Sequence, residues 1–285
     1  MKKRYTKALL PILLFSFLSY GQNGKTLNAM SFNIRYDNPD DGKQNWHERK
    51  ANVVRMINFH DLDIIGMQEV LVNQLDYLKE ELPQYGTVGV GREDGKEKGE
   101  FAPIFYRKER FEVHKKGTFW LSETPETVSK GWDAALERIA TWAVLKDKVT
   151  GKEFVIMNTH FDHRGKQARL ESSKLIKQKA VELSKDLPLI VTGDFNLVPE
   201  SQAIQLLLRP DAGFALVNTS EVAKHTYGPD WTICGFDNRP FEDRNIIDYV
   251  FVKGVKKVNK YAVFAEQLNE LFLSDHCPVF AQVEL

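Results

Sequence analysis

Along the chain, short apolar runs closed by turn-forming residues alternate with longer stretches of helical spacing, so strands and helices interleave. Residues 27–33 roughly alternate apolar and polar side chains and read as a strand, while 62–67 and 189–191 are apolar runs that read as buried strands. Residues 48–59, with Val53, Val54 and Ile57 on one side, and residues 71–82, with Leu71 and Leu75 turned inward, carry helical spacing. From 87 to 142 the pattern is mostly β: 103–106 and 111–113 predict a hairpin, and 117–121 a further strand. Residues 140–145 and 154–159 pair across the turn Val149-Thr150-Gly151-Lys152. Helices over 166–183 and 201–208 follow, then strands over 244–252 and 277–285. The charged, Gly-bounded loop 93–100 reads as mobile, and the longer loop 122–137 holds Trp132 and ends near Arg138. Long loops with aromatics and an isolated arginine are where substrate specificity is carried.

The N-terminus changes this picture in one respect. Lys2, Lys3, Arg4 and Lys7 precede a stretch, residues 8–20, that is apolar apart from Ser16 and Ser19. That stretch is too short for a membrane anchor and ends in small residues, which predicts a secretory signal peptide over 1–21. The expected mature protein is then one large domain, residues 22–285, exported to the periplasm or beyond, without a stable membrane anchor, and monomeric. Basic and acidic residues balance at 39 each in the whole chain; without the first 21 residues the balance is 35 to 39, a formal −4. A mildly acidic chain has no overall attraction for polyanions, which argues against nucleic acid as the partner. The two cysteines, Cys234 and Cys277, sit in a chain whose exported compartment permits a disulfide, but spacing alone does not say that they meet.

Polar side chains collect at the ends of the apolar runs. Asp194 and Asn196 stand two residues apart after 189–191, and an extended backbone would put both on one face. An acceptor beside an amide suits a water to be deprotonated and a phosphoryl oxygen to be held. Asn33 ends the first strand, where it would deliver a carbonyl oxygen, and Glu69 sits at the tip of another. In Asn158-Thr159-His160-Phe161-Asp162-His163-Arg164-Gly165, period 2 puts His160 and Asp162 on one face before a helix. His160 and His163 are conceivable zinc ligands, but phosphate contact fits Arg164 and the helix N-terminus better, and Asp162 and His163 join Arg164 as candidate substrate-binding residues. Asp248, a carboxylate among Ile and Val, needs a partner, and Ser274-Asp275-His276 offers one. Asp37, Asp41, Gly42 and Glu48 fall on calcium-loop positions, but Pro39 spoils a third ligand position.

Six segments in order, Ser31-Phe32-Asn33, Met67-Gln68-Glu69, Asn158-Thr159-His160, Gly193-Asp194-Phe195-Asn196, Ile247-Asp248-Tyr249 and Ser274-Asp275-His276, resemble the endonuclease/exonuclease/phosphatase superfamily. The resemblance spans residues 27–285. It implies an α/β (α+β) four-layer sandwich, in which two mixed sheets pack face to face with helices outside. It also implies Mg²⁺ or Mn²⁺ and attack of water on a phosphate ester. By the same resemblance Glu69 is the principal metal ligand, with Asn33 and Asp275 close to the metal or its waters. Asp194 orients or deprotonates the water, Asn196 donates to a phosphoryl oxygen, His160 and His276 flank the phosphate, and Asp248 holds His276. Whether Asp194 or a histidine is the base stays open, and Arg138 belongs to substrate binding. A phosphodiesterase or phosphatase is the leading expectation, a secreted nuclease of the same fold the alternative, and a catalytically silent binding protein the remaining class.

Overall fold

The computed structural model describes residues 26–211 and 213–285. The expected signal peptide therefore lies outside the described residues. The chain runs β1 (Thr26–Asn33), α1 (Trp46–Phe59), β2 (Ile64–Gln68), α2 (Val72–Glu81), β3 (Tyr85–Val88), β4 (Ile104–Arg107) and β5 (Phe111–Trp120). It continues with β6 (Ile139–Asp147), β7 (Glu153–His160), α3 (Lys166–Ser184), β8 (Leu189–Asp194), α4 (Gln202–Leu208), β9 (Val217–Asn218), α5 (Thr219–Val222) and β10 (His225–Tyr227). The last elements are β11 (Asp248–Lys253), β12 (Lys257–Val263), β13 (Gln267–Leu268), β14 (Leu271–Phe272) and β15 (Val279–Glu284).

Two large mixed sheets result, ordered β10-β12-β15-β1-β2-β4-β3 and β5-β6-β7-β8-β11-β9. Each has a parallel pair at its centre, β1 with β2 and β7 with β8, so the C-terminal ends of these strands lie side by side. Period 2 explains how the layers separate. Leu27, Ala29, Ile64, Ile156 and Ile190 point into the core between the sheets. Their neighbours Met30, Phe32, Ile65 and Met67 face α1 and α2, while Val155, Met157, Leu189 and Val191 face α3 and α4. Strands buried on both faces must be apolar throughout, which is why they read as continuous runs in the sequence. Among the described residues no helix is long and apolar enough to cross a membrane.

Three local expectations differ from the fold. Residues 103–106 and 111–113 do not form a hairpin: β4 pairs with β2 and β3, and β5 pairs with β6 in the other sheet. The turn Lys108–Arg110 carries the chain from one sheet to the other, and the longer-range partners win because they bury more apolar surface. β5 is one strand with an irregularity between Val113 and Lys115, so 117–121 is its continuation. Residues 244–247 lie outside β11, which starts at Asp248.

The sheets are joined by polar as well as apolar contacts. Asn158 Nδ2 on β7 donates to the carbonyls of Met67 (2.6 Å) and Pro103 (3.0 Å), and its Oδ1 accepts from Gln68 Nε2 (2.6 Å) and Thr192 Oγ1 (3.0 Å). All three side chains are fully buried, so each of these bonds offsets part of the cost of burying them, while Gln68 Oε1 is left without a partner. Gly66 leaves room for this brace: a Cβ there would overlap Thr192 Oγ1 and lie 2.5 Å from Asn158 Oδ1.

Candidate active site

The crevice forms where the C-terminal ends of β1, β2, β7 and β8 meet the start of β11 and the segment before β15. Asn33, the last residue of β1, is fully buried. Its Nδ2 donates to Glu69 Oε1 (2.9 Å) and to Asp194 Oδ2 (3.0 Å), and its Oδ1 accepts from the Arg35 N–H (2.9 Å). The amide nitrogen, rather than the carbonyl oxygen expected from the sequence, thus faces the carboxylates, because Arg35 N–H claims the oxygen. Glu69 follows β2 in a left-handed conformation (φ 61°), and its Oε2 accepts from Tyr36 N–H at 3.2 Å. Arg35 (φ 60°) and Asn196 (φ 51°) share that rare conformation, so three non-glycine residues around one crevice carry backbone strain.

Asp194 ends β8 and is almost wholly buried. The strand does not continue to Asn196 as period 2 required. The Asn196 N–H turns back onto Asp194 Oδ1 (2.9 Å), a local turn that still brings the amide into the crevice. Asn196 Nδ2 lies 3.2 Å from His160 Nε2 and 3.1 Å from the Phe161 carbonyl, and His160 Nε2 is 3.4 Å from Asp194 Oδ2. Across the crevice Asp248 Oδ2 accepts from Thr232 Oγ1 (2.6 Å) and pairs with His276 Nδ1 (2.9 Å).

These contacts separate the protonation states. Burial pushes Asp194 up to about 7, and the charge of Asp248 adds to the rise against the pull of His276 and Asn33. Burial alone would discharge His276, but Asp248 and Asp194 outweigh it and hold the ring well above the usual histidine range. His160 goes the opposite way: burial, with Arg138, Arg92 and His276 nearby, holds it well below. The two histidines are therefore a neutral ring and an imidazolium on either side of one carboxyl.

Ligand atoms of Glu69, His160 and Asp194 lie within 4.8 Å of one another, as do those of Asp194, Asp248 and His276. Burial also pushes Asp275 up; His276 pulls it back, and the like charge of Glu69 adds to the rise. Crowded carboxyl oxygens whose charges oppose one another fit a hard divalent cation, which would relieve that repulsion. The zinc alternative fits less well, since His163 belongs to neither cluster. Asp37 and Asp41 do not converge on a calcium site: Asp41 takes a two-pronged bond from Arg35 (3.0 Å each), and Asp37 accepts from Asn73 at 2.8 Å.

The expected substrate group is rearranged. β7 ends at His160, and Asp162 does not continue its face. Asp162 Oδ1 accepts the N–H groups of Ala135 (3.1 Å) and Leu136 (3.4 Å), and Oδ2 those of Arg164 (2.9 Å) and Gly165 (2.7 Å). A carboxylate so fully occupied organises two loops and has nothing left for a substrate. Arg138 is buried behind it, with Nη2 3.1 Å from His163 Nδ1, Nε 3.6 Å from Asp162 and Nη1 3.8 Å from Glu100. His163 and Arg164 are exposed.

Four contributors were not legible as such. The loop 93–100 is held by Arg92, whose Nη1 bonds Glu100 Oε2 at 2.6 Å, and it brings that carboxylate 3.7 Å from His160 Nδ1. Arg35 reaches Asp275 at 3.8 Å, and Thr232 supports Asp248. Nothing in a Gly- and Lys-rich loop singles out Glu100; the aspartates around Arg35 were the only available hint.

Comparison with known proteins agrees with this fold. Residues 30–276 match the family model described as "Endonuclease/Exonuclease/phosphatase family". An endonuclease/exonuclease/phosphatase from Bacteroides vulgatus is 45% identical, with a TM-score of 0.88 over 91% of this chain and 99% of that one. The mannosyl-6-phosphatase Bt3783 of Bacteroides thetaiotaomicron VPI-5482 is 40% identical, with a TM-score of 0.84 over 91% of this chain and all of that one. A more distant relative, Protein angel of Drosophila melanogaster, is 24% identical over 70% of this chain, which spans only 60% of that protein's length. The chain belongs to the endonuclease/exonuclease/phosphatase family, a group of metal-dependent phosphoester hydrolases.

Proposed function

We propose that this protein is an exported phosphatase that hydrolyses a small phosphorylated substrate, with a sugar phosphate as the leading class. The observation that carries the substrate class is 40% identity, over the whole of its length, to a mannosyl-6-phosphatase. The formal −4 balance of residues 22–285 and the basic, apolar segment before them support a small substrate and export, respectively.

In this reading Glu69 and Asp275 would hold the Mg²⁺ or Mn²⁺ ion. When bound, the cation would neutralise charge growing on the phosphoryl oxygens. Asp194 takes the proton of the attacking water: a carboxyl raised to about 7 is a competent base near neutrality. Asn33 and the Asn196 N–H fix one oxygen each of that carboxyl, which aims its free lone pairs. His276, kept as imidazolium with Nδ1 turned to Asp248, presents Nε2–H to a phosphoryl oxygen. Asn196 Nδ2 supplies a neutral donor beside it, and neutral His160 keeps a second positive charge from lowering the basicity of Asp194.

The test is hydrolysis by purified residues 22–285 with Mg²⁺ or Mn²⁺, comparing mannose 6-phosphate and other sugar phosphates with small phosphodiesters and supercoiled plasmid at matched low salt. Sugar phosphates should have the highest kcat/KM. Faster plasmid nicking, falling steeply with salt, would refute the proposal in favour of a nuclease.

A further inference from the structure

The two cysteines of the chain lie beside the crevice, on segments that grip one another. Ile233 and His276 form an isolated antiparallel bridge. On either side of it, Cys277 N–H donates to the Thr232 carbonyl (2.6 Å) and Cys234 N–H to the Asp275 carbonyl (2.9 Å). This register puts the side chains of Cys234 and Cys277 on the same face, diagonal to each other across the ribbon. Both are buried in the core between the sheets, at 0% and 4% exposure. Cys234 Sγ also lies 3.3 Å from the Asp275 carbonyl. The pairing is not needed to fill the core, since two unbonded thiols already occupy the space.

We propose that Cys234 and Cys277 close a disulfide that staples residues 232–234 to residues 275–277. The bond would join the segment that carries Asp275 and His276 to Thr232, whose hydroxyl holds Asp248. With oxidised glutathione as the disulfide oxidant, one thiolate attacks it and expels glutathione, and the second thiol then displaces the bound glutathione. Two protons and two electrons leave the protein, and two molecules of reduced glutathione form. Burial of both sulfurs restricts this exchange to the folding chain or to local opening of the ribbon. The inference does not depend on which phosphate ester the crevice takes.

The experiment uses the purified chain, reduced with dithiothreitol and then refolded with or without oxidised glutathione. Each sample is denatured, alkylated with iodoacetamide and weighed as intact protein, and its melting temperature is measured before denaturation. The reduced protein should take two adducts and the oxidised protein none, with a mass lower by two hydrogens and no dimer on a non-reducing gel. Closing so long a loop should raise Tm by roughly 5–10 °C. The Cys234→Ser/Cys277→Ser protein should melt like the reduced form and ignore the oxidant. Two adducts after oxidation, disulfide-linked dimers, or an oxidised form that melts at lower temperature would each overturn the proposal.

Discussion

Replacing Asp162 by asparagine separates a structural from a substrate-binding role at one position. Its carboxylate accepts four backbone N–H groups, two on each oxygen. An asparagine amide keeps one acceptor oxygen, so whichever way it turns, its NH₂ faces two donors. Leaving a buried donor unsatisfied costs about 1–3 kcal/mol. Gly165 N–H is buried and Arg164 N–H only partly so, which points to a total of about 2–4 kcal/mol. For a domain of this size that corresponds to a fall in Tm of roughly 5–12 °C. Acid should erase the difference. Burial tends to raise the carboxyl, but the N–H groups of Gly165, Arg164 and Ala135 and the Arg138 charge override it and bring the pKa down to about 2. A depressed carboxylate pKa stabilises the fold above the unfolded value of about 3.9 and loses that contribution as pH falls toward 2. Urea titrations of both proteins at pH 7, 5 and 3.5 should show a constant gap at the first two values and a smaller one at the third. At low temperature the variant should keep its KM. A variant as stable as the parent, with KM raised tenfold, would refute the structural assignment and return Asp162 to the substrate.

Other perturbations test the crevice. Glu69→Gln, like removal of divalent metal by EDTA, should abolish turnover while circular dichroism and Tm stay near those of the parent, since Glu69 lies at a strand tip outside the core. Asp194→Asn and His276→Ala should each lower kcat by about 10³-fold or more, with kcat/KM falling in parallel as expected for groups that act in the transition state. Asp248→Asn removes the first of the charges that raise His276, so NMR titration of that ring should give a lower pKa, with a smaller loss of kcat than His276→Ala. Gly66→Ala should destabilise the protein by about 2 kcal/mol or more in urea unfolding, because the methyl group collides with the Asn158–Thr192 brace.

Which parts of this site could be read in advance follows from what each part depends on. Asn33, Glu69, His160 and Asp194 close apolar runs, and a polar residue at such a point has no packing purpose, so its position alone marks it. The Asp248–His276 contact was equally accessible, because a carboxylate set among Ile, Tyr and Val demands a partner. Glu100 carries no comparable mark. Its neighbours are glycine and charged residues, and only the packing of the loop against β7 makes it a neighbour of His160. Asp162 shows the converse error: its type and place near a histidine suggested chemistry, whereas four backbone donors absorb it.

By itself, then, the sequence determined the alternation of buried strands and covering helices, and the strand tips at which polar groups collect. Both are local consequences of burial, since a strand covered on two faces tolerates polar side chains only at its ends. It did not determine that β4 and β5 would part into different sheets, because neighbouring segments pair only when no distant partner buries more surface. Nor did it determine that Asn33 would turn its nitrogen to the carboxylates, or that one histidine would be charged and the other neutral. Hydrogen-bond direction and proton affinity depend on distances of a few ångströms between residues such as Asn33 and Asp194, 161 positions apart, and on the exclusion of water around them. Those distances exist only once the two sheets have closed on each other.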